Sequence, residues 1–267
     1  MKKKLKQKKQ INNALLDTSI QFDKFKPDSI TSELISLASS HNLYTSYYVL
    51  YEFKSGLIKN LIDFYSQVNI CGPQKAIARW GNKIAIREIK NIILLEVVIT
   101  SFNEPIYLNN KNKFLDQIEK AIFHLLTNFE TNLKGIIGDF KDDEIINFPI
   151  NNKSDFDKFI KKLNARKEII HQIDFWKKYS KELNDIVQST TIQTNAKLKK
   201  VYKYLSEINA DVLKSNKFYH NKAVGDAIIA IDAPVGYKIV SLDSSFETYC
   251  PILKKDLIKL RSTYFSK

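Results

Sequence analysis

Residues 225–246 read GDAIIAIDAPVGYKIVSLDSSF, and their pattern decides the fold class. Asp226 opens a run of small and mostly apolar residues, Ala227 to Ala233, which predicts a buried helix. Pro234-Val235-Gly236 reads as a turn, and Lys238 to Leu242 as a mostly apolar strand that stops at Asp243. A short buried helix feeding an apolar strand is the rhythm of a parallel α/β sheet, whose strands are covered on both faces. Leu253 to Leu260 reads as a closing helix.

A strand of the same kind stands near the other end of the chain. In INNALLDTSI (11–20) the apolar run Leu15-Leu16 stops at Asp17, which predicts one buried strand opening into a loop. In open parallel sheets ligands sit at the carboxyl ends of the strands, so Asp17 and Asp243 share a rim if both strands belong to one sheet. Residues 29–40 have helical spacing at Ile30, Leu34 and Leu37, with Asp28 or Ser29 as the cap. A second helix is expected from Thr45–Ser46 to about Tyr65, with Leu50, Phe53, Leu57, Leu61 and Phe64 on its core stripe.

From Gly72 to about Ile208 the pattern is helical throughout. Ile84–Phe102 is apolar on nearly all sides and reads as a central helix. Further stripes run from Leu115 through Phe129 to Ile136, from Phe175 to Ile186 and from Leu198 to Ile208, with polar breaks at 109–113 and 148–155. The expected organisation is a basic tail (1–10), an α/β core built from 11–66 and 209–267, and an all-α bundle inserted at 67–208. The whole is helix-rich, with a parallel sheet flanked by helices.

The composition agrees with this picture. The 267 residues are 44% apolar and 12% aromatic, enough for a substantial core. With only 7 Gly and 6 Pro, an all-β fold with many tight turns is disfavoured. Two cysteines, Cys71 and Cys250, can form neither a disulfide framework nor a four-ligand zinc site, so a reducing cytoplasm is the expected setting. The N-terminal MKKKLKQKKQ carries charge with no apolar run behind it, unlike a secretory signal, and Ile84–Phe102 holds too many charges for a membrane span. A net charge of +13 asks for a polyanionic partner. In Lys199-Lys200-Val201-Tyr202-Lys203-Tyr204, Lys alternates with Tyr as a single-strand-binding surface would, although the wet face of an amphipathic helix looks the same. No Gly-x-Gly-x-x-Gly, P-loop, His-Glu-x-x-His or Gly-x-Ser-x-Gly is present.

Two further acids stand out by context. Asp226 sits at the mouth of a buried helix. Glu52 lies about 100° from Phe53 on the margin of a core stripe, with Gly56 one turn later leaving room beside it. Each acid also has an ordinary reading: Asp17 and Asp226 as caps, Glu52 as an exposed edge acid, Asp243 as a turn residue. Gathered in one pocket, four carboxylates would require neutralisation, which for an all-oxygen cluster means Mg²⁺ or Mn²⁺.

Together these segments resemble the PIN-domain nucleases, the VapC-type toxins among them. That pattern has a first strand running into Asp-Thr/Ser, a Ser followed by a helix with an inward Glu, a helix opening with Asp, and a strand ending in Thr/Ser-x-Asp-x-x-Phe. Here the counterparts are Asp17-Thr18-Ser19, Ser46 with Glu52, Gly225-Asp226-Ala227 and Ser241-Leu242-Asp243-Ser244-Ser245-Phe246. Two features depart from it: Ser245 stands where the family has an acid, and about 170 residues separate Glu52 from Asp226.

The resemblance implies a metal-dependent nuclease, an endoribonuclease first, acting on RNA in preference to DNA. A toxin or defence effector with an inhibitor or partner protein, and a homodimer, are among the settings it implies. Asp17 and Asp243 would be direct metal ligands. Asp226 would share the metal or bind it through water, and Glu52 would complete the shell or handle a proton. Thr18, Ser46 and Ser241 would support them. The alternative is a non-catalytic PIN-like nucleic-acid-binding or scaffolding protein. A second, weaker pattern is Arg166 with His171, which is similar to the Arg-x4-His of helical, metal-independent HEPN ribonucleases.

Overall fold

The computed structural model describes residues 12–25, 31–87, 107–165, 171–216 and 224–260. The basic tail, Arg166 and the greater part of Ile84–Phe102 lie outside these residues.

Five strands form one all-parallel sheet: β1 (Asn12–Leu16), β2 (His41–Ser46), β3 (Gly135–Ile137), β4 (Tyr237–Ser241) and β5 (Asp256–Lys259). Their order across the sheet is β3-β2-β1-β4-β5. The chain therefore winds outward one way from β1 to β3, then returns to the other side of β1 for β4 and β5. The crevice between the carboxyl ends of β1 and β4 is the point where the winding reverses. Leu15 is in register with Tyr44 on one side and Ile239 on the other. Ala14, Leu15 and Leu16 are all buried, because a central parallel strand is covered on both faces and shows no polar alternation.

One face of the sheet buries Ala14, Leu16, Ile20, Leu43 and Val240 against Leu34 and Leu37 of the Thr31–Ser40 helix. The other face carries the main core, which is continuous from Leu15 and Ile239 through Tyr48, Phe53 and Phe140 to Trp176 and Leu205. Its aromatic residues interlock: the rings of Tyr48 and Phe140 meet edge-to-face at 4.8 Å, and those of Phe53 and Phe129 at 4.5 Å. No helix among the described residues is long and apolar enough to cross a membrane.

The parallel α/β sheet flanked by helices is the architecture expected from the sequence, with several local differences. Asp17 opens a short helix, Thr18–Asp23, in place of the expected loop. The helix expected from Thr45–Ser46 does start there, capped by Ser46, but strand β2 precedes it. It runs as Tyr47–Glu52, a π-helical turn Phe53–Ile58 and Lys59–Cys71, past the expected end at Tyr65. The Leu115–Ile136 stripe is one helix only to Asn128, after which the chain turns into β3. The block 67–208 is therefore not wholly helical, since β3 pairs with β2. Leu253–Leu260 contains an edge strand, β5, paired with β4, in place of the expected closing helix.

A second tie joins that block to the C-terminal part of the chain. Asp232, at the end of the Gly225–Asp232 helix, is 4% exposed and accepts hydrogen bonds from the backbone N–H of Asp139 (2.6 Å) and Phe140 (3.4 Å). Burial pushes its carboxyl up to about 6, against the pull of these donors and of Lys255. Lys255 in turn donates to the carbonyls of Ile231 and Ala233. Gly138 makes the bracket feasible: its φ is +112°, and a Cβ there would overlap the Asp232 carboxylate.

Gly138→Ala is therefore expected to destabilise the fold by about 2 kcal/mol or more. That corresponds to a fall of roughly 4–8 °C in Tm. Gly135→Ala, where no atom lies within 4 Å of the new Cβ, serves as the control in the same melting experiment. Equal Tm values for the two variants would remove the bracket from the account.

Candidate active site

The rim at the switch point is assembled from four chain segments. Asp17 follows β1 directly and is 2% exposed. Its backbone N–H donates to the Val240 carbonyl of β4 at 3.1 Å, which fixes the first residue past the strand end. Its carboxylate accepts from Ile20 N (3.0 Å), Ser19 Oγ (2.8 Å) and Ser241 Oγ (2.6 Å). The first of these is an ordinary helix cap, whereas the last spans 224 residues of sequence and joins the two strand ends. Ser241 is itself held, accepting from Asp243 N at 2.8 Å. Asp243 is exposed at the tip of the turn, where Oδ1 accepts from Ser245 N at 2.9 Å.

Glu52 and Asp226 complete the group. Glu52 is the last residue before the π-helical turn, a widened turn of the kind frequent at functional sites. Its Oε2 accepts from Thr18 Oγ1 at 2.5 Å, and the buried Tyr48 hydroxyl also donates to Glu52. Asp226 lies in the first turn of its helix and accepts from Ser245 Oγ at 2.6 Å. Gly225 allows this helix end to approach, since a Cβ there would stand 2.7 Å from the Tyr48 hydroxyl and 3.1 Å from Glu52 Oε1.

The four acids feel one another. Burial pushes Asp226 up to about 7, with Asp243, Glu52 and Asp17 all raising it further and only the Ser245 hydroxyl pulling down. Asp17 is pushed up to about 6, again by burial first, with the charge of Asp243 adding to it against its three hydrogen-bond donors. Among the described residues, no cation figures among the leading influences on either acid, unlike Asp232 with Lys255. The donors that orient these two acids among the described residues are hydroxyls and a backbone amide.

Thr18, Ser241 and all four predicted acids therefore come to the same rim. Ser46 does something else: it caps the Tyr47–Glu52 helix, accepting from Val49 N at 3.2 Å. Three participants carry no site signal of their own in the sequence. Ser19 and Ser245 lie inside the motif segments but read as turn residues, and Tyr48 is reached only through packing. Gly56, expected to make room beside Glu52, faces open space, since a Cβ there would meet no atom within 4 Å. The close approach to Glu52 belongs instead to Gly225. Among the described residues, no group of three or more His, Cys, Asp or Glu side chains is arranged to hold a metal ion.

The raised acids give the protein a definite pH signature. Their folded values, about 6 and 7, exceed the ordinary 3.8, so between pH 4 and 7 the folded state binds more protons than the unfolded one. Their contribution to stability is full below pH 4 and is lost as pH rises through 6 to 7. With a chelator present, Asp226→Asn should show a shallower loss of stability across this window than wild type, read as denaturant midpoints at several pH values. Parallel curves for the two proteins would contradict the raised carboxyl that burial first and the neighbouring acids second give Asp226.

No family model, no curated protein and no solved structure matches the chain.

Proposed function

We propose that this protein is a PIN-like, metal-dependent nuclease that hydrolyses phosphodiester bonds, with RNA as the first substrate and DNA the second. The observation that carries the reading is the convergence of Asp17, Glu52, Asp226 and Asp243 at a sheet switch point, held by the hydroxyls of Ser241, Thr18 and Ser245. Clustered, partly buried carboxylates with no cationic side chain among their leading influences from the described residues are an arrangement that a hard cation relieves. The donor set is all oxygen, which suits Mg²⁺ or Mn²⁺ over zinc. Asp17, Asp226, Asp243 and Glu52 would hold the ion, and binding would include an adjustment of their side chains.

When bound, such an ion supplies a water of lowered pKa and charge stabilisation at the scissile phosphate. The chain's own residues supply position. Ser19, Ser241 and the Ile20 N–H fix the orientation of Asp17. The Thr18 and Tyr48 hydroxyls hold Glu52, and Ser245 holds Asp226 with a neutral donor where the family pattern has another acid. Glu52, less enclosed than Asp17, is the group placed to take a proton from the attacking water.

A second reading, a PIN-like protein that binds nucleic acid or acts as a scaffold without cleaving, is favoured by one observation: among the described residues, no three of these groups are yet arranged as ligands. Cleavage of labelled single-stranded RNA and DNA separates the two. The nuclease reading expects Mg²⁺- or Mn²⁺-dependent cleavage that EDTA abolishes and that Asp17→Asn lowers by about 100-fold or more. Activity indifferent to both would overturn it, and binding without any cleavage would establish the second reading.

A further inference from the structure

The molecule carries a second built feature that the acidic rim does not explain. The helix Lys199–Ala210 presents Leu205 and Ile208 to the core, while its other face lines a groove of about 820 Å³. Lys197, Lys199, Lys200 and Lys203 stand along this groove, and Lys214 joins them from the next turn, Val212–Asn216. Glu207 is the one acid on the described lining. The first four lysines are exposed and make no ion pair with a carboxylate among the described residues. Tyr202, half-buried with its body against the core, shares the lining, and Lys200 Nζ lies 5.9 Å from the ring centre of Tyr204.

A solvated helix face would spread its lysines over the surface. Here four of them follow one another along a shallow, open groove whose walls are aliphatic stems and the ring of Tyr202. That is the chemistry of a single-stranded nucleic acid: phosphates for the lysines and base faces for the tyrosine. An acidic peptide would satisfy the charge but leave the aromatic wall without a flat partner. The groove is also tied to the rim. Asn195, which precedes the first lining residue in sequence, donates to Thr248 at 3.4 Å, and Thr248 lies in the helix Phe246–Ile252 that follows Asp243-Ser244-Ser245. The helix Ser180–Gln188 packs on both the lysine helix and that one.

We infer that the 196–214 groove binds the phosphate backbone of single-stranded nucleic acid. Its use as the track that leads substrate to the acidic rim rests on the nuclease reading, whereas the binding itself does not. Each phosphate neutralised on a single strand contributes about 0.7 to the slope of log K against log salt. Binding of a labelled oligouridylate, and of the matching oligothymidylate, is measured by anisotropy with the full chain in EDTA over a range of salt. Replacing Lys197, Lys199, Lys200 and Lys203 together by Gln should weaken binding at least tenfold and flatten the slope by about 2–3.

Tyr202→Phe should bind as wild type, and Tyr202→Ala several-fold more weakly. A control with Lys75, Lys111, Lys120 and Lys153 changed to Gln, all exposed elsewhere, should lose little. Unchanged affinity and slope in the groove variant, or an equal loss in the control, overturns the inference. So does loss of polyglutamate binding with RNA binding intact, which would assign the groove to an acidic partner. Absence of cleavage with groove-dependent binding retained would refute the nuclease reading alone.

Discussion

The acidic rim depends on β4 coming back to lie beside β1. Parallel pairing of these strands, with Leu15 opposite Ile239, places the residues that follow each of them at one end of one sheet. Because the chain winds outward from β1 in both directions, the crossovers diverge at this end and leave a crevice between them. Asp17 closes the register from one side through its N–H to Val240, and Ser241 closes it from the other through its hydroxyl to Asp17. Glu52 and Asp226 arrive on helices whose own positions are set by Tyr48, Phe140 and Gly225 packing over the same strands.

Two buried aspartates show what distinguishes a structural carboxylate from this rim. Asp232 is as enclosed as Asp17 and similarly raised, but two backbone N–H groups and Lys255 serve it, and it joins the β3 segment to the C-terminal helix. Asp17 and Asp226 have hydroxyl and amide donors to orient them and other acids for neighbours. The first arrangement is self-sufficient. The second gathers negative charge within a chain of net charge +13, a local exception to the overall surplus. That abundance is itself organised, since five lysines line a single groove.

The legible parts are those in which a short apolar run ends abruptly in a polar residue. Leu15-Leu16-Asp17 and Val240-Ser241-Leu242-Asp243 announce two strands and the acids beyond them. Strand β2 does not announce itself, because His41 and Asn42 are polar and the helix signal of Ser46 begins before the strand pattern can build. Strand β3 is three residues long and follows a helical stripe whose spacing continues through it. Strand β5, Asp256–Lys259, borders the sheet and has few apolar residues to mark it, so a helical spacing prevails in the sequence. Tyr48 and Gly225 are beyond sequence reasoning for a different reason. Their roles exist only where two elements remote in sequence touch.

The 224-residue reach of the Ser241–Asp17 hydrogen bond also governs when the rim can exist. A nascent chain that has not yet emerged as far as residue 241 already carries Asp17 and Glu52, but β1 still lacks its partner on that side. Loop closure over such a span delays the pairing, and the open edge of β1 must meanwhile be shielded by the helices already made. All four acids are brought within one another's field only by the last long-range closure in the sheet. Asp17 and Glu52 are linked early, through β1–β2 pairing and the Thr18 hydroxyl, while Asp226 and Asp243 join them only once β4 has paired with β1.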